Sequence, residues 1–224
     1  MPAKTGEHMI KASDLKNYFG QVSQQAPLFF NKGEKRNIPV GSFKNDRFKS
    51  DSLICAKCNN SLTQPYDEAW SALHKYLQNN WQTILSKGAV NLSKPFPGSV
   101  RKSMTEVHLY FVKLFGCRIA QEGIAIDLPS FSQAVISGKA HPNVYLKVGS
   151  TVGVEFQKFV GISPFSASNI VKNGQPAYAN WFYTVGDVSV QVMYTQFGSS
   201  YKNMKNSWHP KTINKNLKLS KYKI

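Results

Sequence analysis

The sequence predicts an α+β fold: an irregular N-terminal module of short strands and loops closed by a helix, then a C-terminal module of helices packed on a largely antiparallel sheet. Three observations carry this expectation. Tyr66, Ala69, Trp70, Leu73, Leu77, Trp81, Ile84 and Leu85 recur at three- and four-residue steps, the period of a helix with one apolar face. Between residues 144 and 197 the pattern changes to β-branched and aromatic runs. Gly88, Pro95, Pro97 and Gly98 separate the two regions and mark a boundary.

The elements follow in chain order. Residues 13–19 form a short helix, with Ser13 available to cap its free amides and Gly20 to end it. The stretch up to Cys58 is polar and turn-rich, with Asn31-Lys32-Gly33, Pro39-Val40-Gly41 and Asn45-Asp46 as breakers. The long helix spans 66–85, with Pro65 just inside its start and Gly88 past its end. Ser103 and Glu106 make a capping box, and Val107, Tyr110, Phe111, Leu114 and Phe115 give the helix behind it a wide apolar face. That helix is expected at the buried centre of the second module. A shorter helix over 129–137 precedes strands at 144–148, 152–160, 179–185 and 188–197, with Gly186-Asp187 joining the last two as a hairpin. The modules therefore span 1–87 and 103–200, and 201–224 forms a basic tail with seven lysines and no acid.

Composition narrows the classes of function. The 224 residues include 28 Lys and Arg against 12 Asp and Glu, a net charge of +16. Self-repulsion makes that charge costly for a compact chain, and phosphates are its usual counterpart, so nucleic acid, DNA first, is the expected partner. A 42% hydrophobic, 12% aromatic composition excludes a disordered tail or a collagen-like rod. No run approaches the roughly 18 uninterrupted apolar residues of a membrane span, since the best candidate, 107–119, is broken by Lys113 and Arg118. The first ten residues carry Lys4, Glu7 and His8 and lack the apolar core of a secretory leader, which points to a cytoplasmic chain. Three cysteines are too few for a disulfide framework, and Cys55-x-x-Cys58 reads as metal binding or redox chemistry.

The chemistry-bearing constellation is Glu7-His8, then a polar loop, then Leu53-Ile54-Cys55-Ala56-Lys57-Cys58-Asn59-Asn60 and a helix. An acid-His pair on a strand, a C-x-x-C turn with Asn directly behind it and a helix resembles the ββα-metal core of the His-Asn-His (HNH) endonucleases. The segment around Cys55 to Trp70, and Val107 to Cys117 after it, are also similar to uncharacterised bacterial and phage proteins grouped with that family. The resemblance implies a divalent cation such as Mg²⁺ held by Glu7 and Asn59, with His8 as the general base that activates water. It implies a structural zinc for Cys55 and Cys58, which supply half of a four-thiolate shell. The family's middle Asn has no counterpart, and Ser50 and Asp51 stand nearest its place.

The chemistry is sound on general grounds. An imidazole with an unperturbed pKa of about 6.5 can take a proton from water at neutral pH, and a hard cation suits one carboxylate, one amide oxygen and waters. Lys11, Lys44, Arg47, Lys49 and Lys57 surround this segment, where ten bases face five acids over residues 1–60, and they are the expected phosphate contacts. Plainer readings stand beside these. Cys55 and Cys58 also suit small packing residues, and Asn59 and Asn60 suit turn capping. Gln64 or Thr63 can cap the following helix, where Asp67 suits the dipole. His74 is expected to be exposed, His108 and Cys117 to lie in the core, and His141 and His209 to be structural or solvated. Two further functions fit the same sequence: a non-catalytic zinc-knuckle module that binds nucleic acid, and a phage structural or assembly protein.

Overall fold

Two small antiparallel pairs and one seven-stranded mixed sheet surround a single long helix, an α+β arrangement. The computed structural model describes residues 5–152, 159–170, 174–201, 204, 206–212 and 215–223. In the N-terminal part, β1 (Thr5–His8) lies antiparallel to β4 (Lys49–Ile54). Between them come α1 (Ala12–Phe19) and a hairpin of β2 (Leu28–Lys32) and β3 (Lys35–Val40). Ser13 lies within the first turn of α1 instead of capping it, because Lys11 takes the extended cap position.

The long helix is divided. α2 (Gln64–Asn79) stops at Asn80, whose backbone leaves helical geometry while its side-chain amide donates to the Tyr76 carbonyl, and α3 (Trp81–Lys87) follows. An Asn pair that competes with the backbone for hydrogen bonds explains the break. The periodic residues still face inward: Tyr66, Ala69, Trp70, Leu73 and Leu77 are buried. The same face hides His74, which the sequence placed in solvent. Its ring stacks on Trp70, and its Nδ1 lies 3.3 Å from the Asp14 carboxylate. Asp14 also accepts hydrogen bonds from Trp70 Nε1 and the Tyr183 hydroxyl, both at 2.8 Å. Burial pushes the Asp14 carboxyl up, but these three donors outweigh it and leave it below the ordinary carboxylate range.

α4 (Val100–Glu122) is the centre of the molecule. It begins before the expected capping box: Ser99 accepts from the Lys102 amide, and Ser103 sits inside the first turns. Every residue from Val107 to Ile119 is buried, so this part of the helix is packed on all sides, with His108, Lys113 and Arg118 enclosed among apolar side chains. α5 (Leu128–Ser137) crosses it, with Phe131 stacked on Phe115 and close packing at Gly116.

The sheet runs β5 (Ala89–Asn91), β11 (Asn216–Lys223), β6 (Val144–Val152), β10 (Val188–Thr195), β9 (Pro176–Val185), β7 (Val160–Ile162), and β8 (Ser166–Ile170) also pairs with β9. All pairs are antiparallel except β11 with β6. The hairpin at Gly186-Asp187 is formed, and Gly186 is required there: its φ is 59°, and a Cβ would lie 2.5 Å from the Tyr18 ring. Two expectations are corrected. The C-terminal stretch contains a strand, β11, between β5 and β6, because Leu217 and Leu219 alternate with Asn216, Lys218 and Ser220 and turn an apolar edge inward. The boundary region supplies β5, which pairs with β11. The expected strand at 152–160 is represented by the end of β6 and the start of β7, and 153–158 lie outside the described residues. Among the described residues, no helix is long and apolar enough to cross a membrane.

Three histidines sit together beneath the sheet. His108 Nε2 donates to the Val144 carbonyl at 3.0 Å, His141 meets Ser130 Oγ at 2.9 Å, and His209 Nε2 donates to the His141 carbonyl at 3.0 Å. Burial lowers His108 to about 3 and His141 to about 4. Unfolded, both take up protons near pH 6.5; folded, they resist until about 4 or below, so stability falls as pH drops from about 6.5 toward 4. At pH 4.5 each should cost about 2–3 kcal/mol. Thermal unfolding should therefore show a lower midpoint at pH 4.5 than at pH 7. His108→Phe should shrink that difference by roughly half, and an unchanged difference would refute the assignment.

Candidate functional site

Glu7 and His8 are neighbours on a strand, where successive side chains ordinarily point to opposite faces. Here they line one cavity of about 300 Å³, together with Lys11, Ser13, Asn59, Asn60, Asp67 and Tyr110. The pairing of β1 with β4 explains it. Gly6 stands opposite Leu53 and His8 opposite Lys49, so Glu7 alone faces three residues of β4, and this irregularity re-aims the side chains beside it. Gly6 permits the approach, since a Cβ there would lie 2.9 Å from the Ser50 carbonyl oxygen.

The far wall comes from one π-helical turn over Cys58–Leu62, closed by the Thr63 amide donating to the Cys58 carbonyl at 3.1 Å. It carries Asn59 and Asn60 to the cavity. The Asn59 amide donates to the Cys55 carbonyl at 2.9 Å, and its own carbonyl accepts from the Thr63 hydroxyl at 3.2 Å. Cys55 and Cys58 are joined to each other in a disulfide, and the Cys58 amide donates to Cys55 Sγ at 3.0 Å. A zinc ion would require both sulfurs reduced to thiolates.

His8 presents the most open chemistry. Its Nε2 is buried and has no hydrogen-bond partner, as does the Ser13 hydroxyl on the same cavity. Buried polar atoms are ordinarily paired, and with the Tyr110 hydroxyl three such atoms belong to residues of this cavity, which suits it to a polar occupant. Burial lowers the His8 pKa, and the Lys49 ammonium lowers it further, against the Phe43 backbone carbonyl that favours the charged ring. The imidazole is therefore neutral at neutral pH, the form that accepts a proton. Phe43, rather than Ser50 or Asp51, supplies the loop contact to the ring.

Glu7 is held by a residue the sequence did not single out. Lys113, from the middle of α4, reaches its Oε1 at 2.9 Å, the Asp67 carboxylate at 3.2 Å and the Thr63 hydroxyl at 3.3 Å. Burial pulls the Lys113 ammonium down, but Glu7 and Asp67 outweigh it and raise its pKa. Burial pushes the Glu7 carboxyl up, and Lys113 opposes that rise. In the sequence Lys113 was only a charge interrupting an apolar run; an ionic residue between Leu109 and Phe115, flanked by apolar side chains, was the available signal. Lys11 is fixed on the other side, donating to the Asp67 carbonyl and, at 2.7 Å, to the Ser71 hydroxyl.

The remaining expected phosphate contacts lie outside the cavity. Lys44, Arg47 and Lys57 are exposed, and Lys49 is paired with Asp46 at 2.7 Å. Among the described residues, no three His, Cys, Asp or Glu side chains are grouped to hold a metal by themselves. A hard cation here would draw on Glu7 and an Asn59 amide oxygen, with waters completing its shell. That donor set fits Mg²⁺, which keeps several waters. Comparison with protein-family models, curated proteins and solved structures gave no match to this chain.

Lys113→Met leaves two carboxylates facing each other without their cation, and should cost about 3–5 kcal/mol in denaturant unfolding. Adding Glu7→Gln should recover part of that loss. Strictly additive single and double variants would show that the two groups are not coupled.

Proposed function

We propose that this chain is an HNH-like, metal-dependent nuclease that hydrolyses phosphodiester bonds in DNA. The observation that carries the reading is the meeting of Glu7, His8 and Asn59, about fifty positions apart in sequence, at one cavity where His8 Nε2 has no partner. His8, neutral at pH 7, takes the proton of an attacking water through Nε2, while the Phe43 carbonyl and the packing of β1 hold the ring. Glu7 and Asn59 are the residues that hold a divalent cation. When bound, it supplies charge to the phosphate and leaving oxygens. Lys113 keeps the Glu7 carboxylate fixed, and the exposed Lys44, Arg47 and Lys57 contact the phosphodiester backbone without selecting sequence. In reduced form Cys55 and Cys58 offer two of the four ligands of a structural zinc. A cytoplasmic, nucleic-acid-bound setting fits this chemistry.

One observation favours a second reading, a nuclease-derived protein that binds nucleic acid without cutting it: the Glu7 carboxylate is already matched by Lys113. Plasmid nicking in Mg²⁺ or Mn²⁺ separates the two. The nuclease should nick, and His8→Ala should slow nicking by about a hundredfold or more, the range of general-base contributions. Calorimetry with Mn²⁺ should show weaker binding in Glu7→Gln. Salt-sensitive plasmid binding with no nicking by the wild type would favour the binding protein and end the enzymatic reading.

A further inference from the structure

The hairpin of β2 and β3 is a separate two-stranded sheet, and such ribbons have little stability of their own. One face anchors it: Val40 is buried, and Phe30 meets Phe48 edge to face with ring centres 5.5 Å apart. The opposite face is open. Phe29, 65% exposed, stands directly across from Pro39, which is exposed too. Farther out come Asn31 and then the tip, where Lys32 and Lys35 stand directly opposite each other beside Arg36, all exposed. Like charges placed across a strand pair repel. Among the described residues, Lys32 is ion-paired with Asp51 at 3.8 Å, where both side chains are largely in solvent, and Glu34 stands exposed in the turn between Lys32 and Lys35. An anion at the tip relieves this repulsion.

The foot of the hairpin lies at the His8 edge of the candidate site. Phe48, on which Phe30 packs, accepts from the Met9 amide at 2.8 Å, and the Phe43 carbonyl just after β3 faces His8.

We propose that the outer face of the β2–β3 hairpin is a single-strand nucleic-acid arm, with Phe29 as a stacking platform for a base and Lys35 and Arg36 as phosphate contacts. This rests on the nucleic-acid reading above and extends it to the strand state that is bound. Aromatic platforms flanked by cations hold single strands by stacking, because every base has a π-face. Duplex bases are already stacked and gain nothing from Phe29.

The test is fluorescence anisotropy with the full chain in EDTA, using labelled dT20, rU20 and a 20-base-pair duplex. Phe29→Ala should weaken dT20 binding about tenfold and duplex binding less than twofold, and Phe29→Trp should keep wild-type affinity. Lys35→Ala with Arg36→Ala should reduce the slope of log K against log salt by about 1.4 on single strands, about 0.7 for each lost contact. Loss on dT20 alone, or on rU20 as well, identifies the arm as reading DNA or either strand. Variants that bind dT20 as the wild type does overturn the arm while leaving the nuclease reading intact. A wild type that binds none of the three probes overturns the arm, nicking in Mg²⁺ decides the nuclease reading by itself, and single-strand binding by the arm in a protein that never nicks upholds the arm and removes only the catalysis.

Discussion

One buried ammonium organises the site. Lys113 sits in the middle of the most enclosed helix of the molecule, where an unpaired charge is far too costly to keep. Its partners are Glu7 from β1, Asp67 from the first turn of α2 and the Thr63 hydroxyl just before it. Meeting Lys113 therefore brings the chain's first strand and the start of α2 onto α4. The close approach at Gly6 and the irregular register around Glu7 are consequences of the same requirement, because Glu7 must reach inward while β1 stays paired with β4. Once Glu7 is placed, His8 is carried to the same cavity.

A second buried carboxylate secures the opposite wall. Asp14 takes the Trp70 indole, the Tyr183 hydroxyl and His74, and so joins α1, α2 and β9 through one side chain. Tyr183 also accepts from the Lys11 amide at 3.2 Å, which links this network to the ammonium bound to the Asp67 carbonyl. Three acids of the N-terminal region are thus spent inside the fold, Glu7 and Asp14 by burial and Asp67 by its tie to Lys113, while Glu34, Asp46, Asp51 and Glu68 stay exposed. The bases of the β2–β3 hairpin and of Lys44 and Arg47 remain outside. A strongly positive exterior follows from that division as much as from the net charge.

Elements with a strong period were legible in the sequence. The apolar steps of α2, the wide apolar face of α4 and the Gly186-Asp187 hairpin each produce a local pattern that tertiary packing reinforces. The site was partly legible: Glu7, His8 and Asn59 face one cavity, whereas Lys113 and Asp14 look like ordinary charges until their partners are known. His74 was misjudged because its neighbour Lys75 suggested a wet face, and only the distant Asp14 makes its burial tolerable. β11 was concealed by its lysines. Leu217 is buried near the start of the strand while Lys218, on the opposite face, and Lys221, near its end, are exposed, so a basic composition and a sheet strand are compatible. The start of α4 was displaced because two serines, Ser99 and Ser103, are both competent caps, and the earlier one accepts from the Lys102 amide in the first turn.

The charges around the cavity favour joint binding over either ligand alone. Glu7, Asp67 and Lys11 line the cavity beside a neutral His8, and Lys113 is ion-paired to both carboxylates from outside the lining, so the charges at and beside the cavity are close to balanced. A divalent cation entering such a site meets no excess of negative charge, and a phosphodiester meets no excess of positive charge. Entering together they offset one another, and the low local dielectric strengthens that mutual attraction. On the proposed nuclease reading, a lysine at the position of Lys113 would make cation affinity depend on a phosphodiester already being in place.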